Sequence, residues 1–149
     1  MKKIYRDLPS NSFNEHAWIA GKPVVGEDVW IGAFTLIDAK HESLVIGKGC
    51  NISTGAQILT HSTVKRCISE RKHEKIDSAS VEIGEFCFIG SNAVILMGTK
   101  LGHHSVVAAG SVVKEYSVIP PYSIVAGVPA KTIGSSRKFL KSIKKKSEK

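Results

Sequence analysis

Aromatic residues make up only 7% of the 149-residue chain, so its core must come from many aliphatic contacts and not from a few large rings. Cysteines number three (Cys50, Cys67 and Cys87), an odd count that falls in no CxxC or Cys/His ligand spacing. That argues against a disulfide framework and a zinc site, and for a reducing compartment. The opening MKKIYRDLPS lacks the apolar run of a signal peptide. No segment approaches the roughly 20 apolar residues of a membrane-spanning helix, so a cytoplasmic protein is expected. Acidic residues are scarce too, 13 against 21 Lys and Arg, for a formal charge of +8. The excess is local: residues 137–149 (RKFLKSIKKKSEK) carry seven basic side chains and one Glu, or +6, leaving +2 for the rest. The fold proper therefore lacks a basic face, and no nucleic-acid partner is expected. The tail reads as a solvated C-terminus, with docking on an anionic partner as the alternative.

What the chain has is a period. Its length suits one domain, and 42% apolar residues suffice for a core. From Ile83, steps of six reach Ile89, Ile95, Leu101, Val107, Val113, Ile119 and Val125. Four places after the first seven stand Cys87, Ala93, Thr99, Ser105, Ser111, Ser117 and Ser123, all small. The same phase holds for Ile19, Val25, Ile31 and Ile37 and, after a three-residue slip, for Ile46, Ile52 and Ile58. An α-helix would spread residues six apart over three directions. One continuous strand of this length is far beyond the ordinary range of about 3–10 residues. The chain must bend after every repeat while keeping its aliphatics inward, which short strands stacked at about 4.8 Å achieve. The small residues are assigned to the corners, and three repeats per triangular turn give about five coils. The register fails between His61 and Ala79, where a polar string marks a long loop leaving the prism.

The strings VWIGAFTLID, IGKGCNISTGAQILTH, IGEFCFIGSNAVIL, VVAAGSVVK and AGVPAK resemble the hexapeptide-repeat acetyltransferases, from about Val25 to Ile133. They look most like the polysaccharide O-acetyltransferase branch and are also similar to the galactoside and maltose acetyltransferases. The resemblance implies an all-β fold, a left-handed parallel β-helix, although the general rule for parallel crossovers favours the right hand. It also implies a homotrimer with active sites between subunits. The expected organisation is a lead-in over 1–18, a β-helix over 19–134 with its loop at 62–79, and a basic tail over 135–149.

Acetyl transfer from a thioester requires that the acceptor lose a proton as it attacks, that the carbonyl oxygen be stabilised, and that both substrates be aligned. The thioester is already activated, so no metal is expected, and an imidazole with an ordinary pKa of about 6.5 suits the base. Of six histidines, His61 stands last before the break in the repeat, where the resembled family keeps its catalytic base. The following residue, often acidic or His in the polysaccharide branch, is Ser62, a departure that bears on acceptor recognition. The resemblance puts Asp38 in the acceptor pocket, where it either orients His61 or binds a sugar hydroxyl. The plain alternative is a corner Asp bonding its own backbone. His41 and Glu42 are placed toward the same cleft and Trp30 near it.

For acetyl-CoA, the cosubstrate, the resemblance points to Ser91, Ala109, Val113, Lys114 and Lys131. Small residues let the pantetheine arm reach the backbone, and lysines meet phosphates as point charges. The neighbours His103 and His104, taken as strand residues, point to opposite faces and are not expected to chelate a metal together. The expected function is acetyl transfer to a hydroxyl or amine of a sugar or surface-polysaccharide precursor. An antibiotic-inactivating acetyltransferase and a non-catalytic β-helix scaffold are the alternatives.

Overall fold

The computed structural model describes residues 12–147; most of the lead-in expected over 1–18 lies outside the described residues. The chain winds into five coils of three short strands each. The first holds β1 (Trp18–Gly21), β2 (Val24–Val25) and β3 (Trp30–Ile31), and the second β4 (Leu36–Ala39), β5 (Leu44–Ile46) and β6 (Asn51–Ile52). The third opens with β7 (Gln57–Leu59), is interrupted by β8 (His61–Ser62), α1 (Val64–Ile68) and β9 (Asp77–Ser78), then resumes with β10 (Val81–Ile83) and β11 (Phe88–Ile89). The fourth contains β12 (Val94–Ile95), β13 (Lys100–Leu101) and β14 (Val106–Val107), the fifth β15 (Val112–Val113), β16 (Val118–Ile119) and β17 (Ser123–Gly127). Strand β18 (Ala130–Ser135) and helix α2 (Arg137–Ser147) follow.

Corresponding strands stack in parallel into three faces. The first face is β1-β4-β7-β12-β15, the second β2-β5-β10-β13-β16, and the third β3-β6-β11-β14-β17, with β18 added antiparallel on β17. The fifteen aliphatics of the repeat fall into three columns. Ile19, Ile37, Ile58, Ile95 and Val113 line the first face inside. Val25, Ile46, Ile83, Leu101 and Ile119 line the second, and Ile31, Ile52, Ile89, Val107 and Val125 the third. All but Val25 are buried, and Val25 packs against the cluster partly covered. Each fully buried side chain of this size stabilises the fold by about 1.5–3 kcal/mol relative to exposure.

The corners differ in one respect from the expected arrangement. The bend itself falls on the third residue after each aliphatic, not on the small one. Phe86, Asn92, Gly98, His104, Gly110, Tyr116 and Tyr122, six apart, all have φ between +55° and +77°. Left-handed backbone there turns the chain through each corner. The small residue comes next and faces inward, where its side chain answers backbone groups that the corner removes from the ladder. Ser105 Oγ donates to the Pro120 carbonyl at 3.1 Å and accepts from the Ser123 N–H at 3.2 Å. Cys50 and Cys87 occupy the same column two coils and one coil earlier, donating to the Gly84 and Gly102 carbonyls at 3.1 and 3.2 Å. The side-chain hydrogen bond to Cys50, then burial, push the Cys87 thiol above its ordinary range, so it stays protonated in a packing role.

The three edges of the prism are not alike. Where the second face turns into the third, the residue after each aliphatic is Gly26, Gly47, Gly84, Gly102 or Pro120. The next coil crosses directly above: a Cβ on Gly102 would lie 2.3 Å from the Pro121 nitrogen. Where the first face turns into the second, the same position holds Ala20, Asp38, Leu59, Leu96 and Lys114, side chains that this edge admits.

Candidate active site

Two irregularities in the repeat meet on that permissive first edge. Coil two spends three extra residues, His41 to Ser43, between its first and second faces, which is the slip between Ile37 and Ile46. Coil three leaves the prism at the same edge, after Thr60. Leu44 and Val81, paired across the two coils, fill the core at the level where both bulges rejoin it. The displaced backbone puts Asp38, His41 and His61 side by side.

Asp38 follows the core residue Ile37 and is 9% exposed. Its backbone carbonyl accepts the Thr60 hydroxyl at 2.8 Å, tying the two coils together immediately before His61. One carboxylate oxygen, Oδ1, accepts the Lys40 N–H at 2.9 Å, a turn that fixes the carboxylate plane. The other, Oδ2, lies 2.9 Å from His61 Nδ1. Asp38 thus has one oxygen holding its own corner and the other facing the histidine. The Nδ1 approach is short without the alignment of a full N–H···O bond, and this buried nitrogen has no hydrogen-bond partner otherwise. Catalytic hydrogen bonds commonly tighten only when substrate is bound. With Nδ1 turned to a carboxylate, Nε2 is the nitrogen left to exchange a proton. The His41 ring packs against that of His61 with centroids 4.3 Å apart and planes at 45°.

The excursion is more ordered than a plain loop. His61 and Ser62 pair antiparallel with Ser78 and Asp77, and the Ala79 N–H closes the base on the Thr60 carbonyl at 3.0 Å. Asp77 meets Lys65 Nζ at 3.2 Å and His73 Nε2 at 3.8 Å, and Ser78 Oγ bonds Glu42 at 3.4 Å. Excursion and coil-two bulge therefore hold one another. Asp77, His73 and Lys65 were missed by sequence reasoning, which treated the string as polar loop. The available signal was Asp77, two residues before the return of the period.

The proposed coenzyme residues divide between two edges. Ser91 and Ala109 are exposed where the third face turns into the first, with the Gly110 N–H bonded to the Ser91 carbonyl at 2.9 Å. Exposed Lys131 pairs with Ala126 at the same end. Exposed Lys114 stands on the His61 edge, two coils further on. Val113 does not fit the expectation: it is 1% exposed in the core, and its carbonyl already accepts the Leu96 N–H at 3.0 Å. Trp30 is 52% exposed on the third face and, within one chain, lies away from the His61 edge. A shallow groove of about 820 Å³ lies on the second face, lined by Val45, Glu82, Lys100, Val118 and Pro120 among others, and holds none of the histidine cluster.

Among the described residues no group of three or more His, Cys, Asp or Glu is placed to hold a metal. His103 and His104 correct the strand-based expectation, because they occupy a corner and not a strand. The left-handed φ of +58° at His104 brings the two Nδ1 atoms to 2.9 Å.

Residues 80–115 match the family model described as the hexapeptide repeat of succinyl-transferase. The carnitine operon protein CaiE of Proteus sp. (strain LE138) is 26% identical over 127 residues, covering 84% of this chain and 64% of that protein. A 2,3,4,5-tetrahydropyridine-2,6-dicarboxylate N-acetyltransferase of Clostridium perfringens is 62% identical over 47 residues, 32% of this chain and 19% of its own length. Among solved structures, a hexapeptide-repeat acetyltransferase of Vibrio cholerae in complex with acetyl coenzyme A superposes with a TM-score of 0.67 at 29% identity, over 80% of this chain and 63% of that one. A polySia-specific acetyltransferase superposes at 0.61 and 25% identity, over 77% and 52%. Over most of its described length the chain is similar to hexapeptide-repeat acetyltransferases. Its parallel β-helix matches the left-handed β-helix of those acetyltransferases. The chain spans less than two thirds of the length of the CaiE protein and of the Vibrio cholerae acetyltransferase. No helix among the described residues is long and apolar enough to cross a membrane.

Proposed function

We propose that the protein is an acetyl-CoA-dependent acetyltransferase in which His61 is the general base. The observation that carries this reading is the His61–Asp38 pair on the edge of the prism that admits large side chains after the aliphatic. Asp38 holds Nδ1, and Nε2 takes the proton of an acceptor hydroxyl or amine as that group attacks the thioester carbonyl. The bond from carbonyl carbon to sulfur then breaks, and the proton on Nε2 passes to the departing coenzyme thiolate. A backbone N–H supports the oxyanion in between. The acetyl-CoA complex of the Vibrio cholerae relative supports the donor, and the polySia-specific structure supports a sugar acceptor.

The split of the coenzyme residues fits a cyclic homotrimer. A rotational assembly brings unlike surfaces together at every interface, so the first edge of one chain meets the third edge of the next. Ser91 and Ala109 of one subunit then stand across the cleft from His61 of another, and Lys114 and Lys131 supply positive charge for the phosphates. Trp30, on the third face, enters the acceptor cleft only through such a neighbour. The three free cysteines fit a reducing compartment, and we place the protein in the cytoplasm.

The test is acetyl-CoA consumption with a panel of sugars and nucleotide sugars, for the native protein and His61→Ala. The substitution should lower kcat by about 10²–10⁴-fold while acetyl-CoA still raises the melting temperature. Unchanged turnover would remove His61 from the mechanism. A native protein whose melting temperature ignores acetyl-CoA would remove the activity.

A further inference from the structure

Helix α2 has no counterpart in the repeat. It is fastened to the prism at its start: Ser136 is buried, its N–H bonds the Tyr122 carbonyl at 2.9 Å, and its hydroxyl donates to the His104 carbonyl at 2.6 Å. The Arg137 guanidinium lies 3.9 Å over the Tyr122 ring, which itself stacks on His104. Beyond that anchor the helix leaves the body. Phe139, Leu140 and Ile143, at spacings that share one helical face, remain 59%, 42% and 63% exposed. Arg137, Lys138, Lys141 and Lys144 are exposed around them, and the helix RKFLKSIKKKS contains no acidic residue.

We propose that α2 is an interfacial helix that docks the protein on an anionic lipid surface. Its occupant must offer apolar contact in one direction and negative charge around it, which the headgroup–acyl boundary of an anionic bilayer does. A nucleic acid offers the charge but nothing for Phe139, Leu140 and Ile143. A second copy of α2 would bring two dense basic surfaces together, which is unfavourable. The helix springs from the edge between the second and third faces, so docking through it does not use the His61 edge. The proposal is independent of acetyl transfer.

Co-sedimentation of the full chain with lipid vesicles tests it. Vesicles of phosphatidylcholine with phosphatidylglycerol should carry the protein down, with affinity at least about tenfold above that for phosphatidylcholine alone. The double change Phe139→Ser with Ile143→Ser, and separately Lys141→Glu with Lys144→Glu, should each weaken binding by about tenfold or more. Melting temperature and oligomeric state should stay unchanged, since both pairs lie outside the core. Equal affinity for neutral vesicles, or no sedimentation with anionic ones, would overturn the proposal. So would anionic binding that survives loss of the apolar pair, which would mean bare charge attraction as for nucleic acid. If the apolar pair is instead needed for oligomer formation by light scattering, the face is a seam between copies and the lipid assignment fails.

Discussion

The first and second edges of this prism are built from the same six-residue rule and yet have opposite uses. On the second edge each coil follows the last so closely that the position after the aliphatic has no room for a Cβ, and Gly102 marks the limit. On that edge an aromatic stack runs from Phe86 through His104 to Tyr122 and ends under Arg137. On the first edge the same position carries side chains, and two consecutive coils depart from the period. The second edge is a seam closed by its own packing. The first has room for chemistry because the repeat gives way there.

Three substitutions sharpen that contrast. Ile95→Ala removes a fully buried side chain from the core common to both edges. It should lower unfolding free energy by about 2–5 kcal/mol in denaturant titration, with the activity of the folded fraction retained. Asp38→Asn, on the first edge, should cut kcat by about 10- to 100-fold, the worth of one hydrogen bond to a charged group. Its melting temperature should scarcely move, and a kcat equal to the native value would leave Asp38 a corner residue only. Gly102→Ala, on the second edge, should do the reverse, costing about 1–3 kcal/mol of stability from overpacking against Pro121. Steady-state kinetics on its folded fraction should match the native enzyme, and a stability equal to native would mean that the second edge is looser than its geometry implies.

The core was legible in the sequence almost completely, because an aliphatic every six residues leaves a chain few ways to bury them together. Fourteen of the fifteen aliphatics are buried, and the three-residue slip was visible as a phase error. The corner residues were less legible. Phe86, Asn92, His104 and Tyr122 share no side-chain chemistry, only a backbone angle, and composition does not report φ. Their identity hid a column that spacing alone would have shown. Val113 was misread for a related reason, since likeness to a family string says nothing of which way a side chain points. His61, Asp38 and His41 were assigned to one cleft by resemblance, not by spacing. What the sequence did not convey is that the slip and the excursion lie on one edge in adjacent coils, a relation that exists only once the chain has wound.

The base of the excursion has a further consequence. Its two ends meet at the Thr60–Ala79 hydrogen bond, so whatever lies between them adds nothing to the path of the prism. Coil three closes at the same height whether the insert is long or short, and loop length costs folding only slowly. The wall beside His61 is therefore a socket. A different insert can be fitted there while His61, Asp38 and the coils below keep their places.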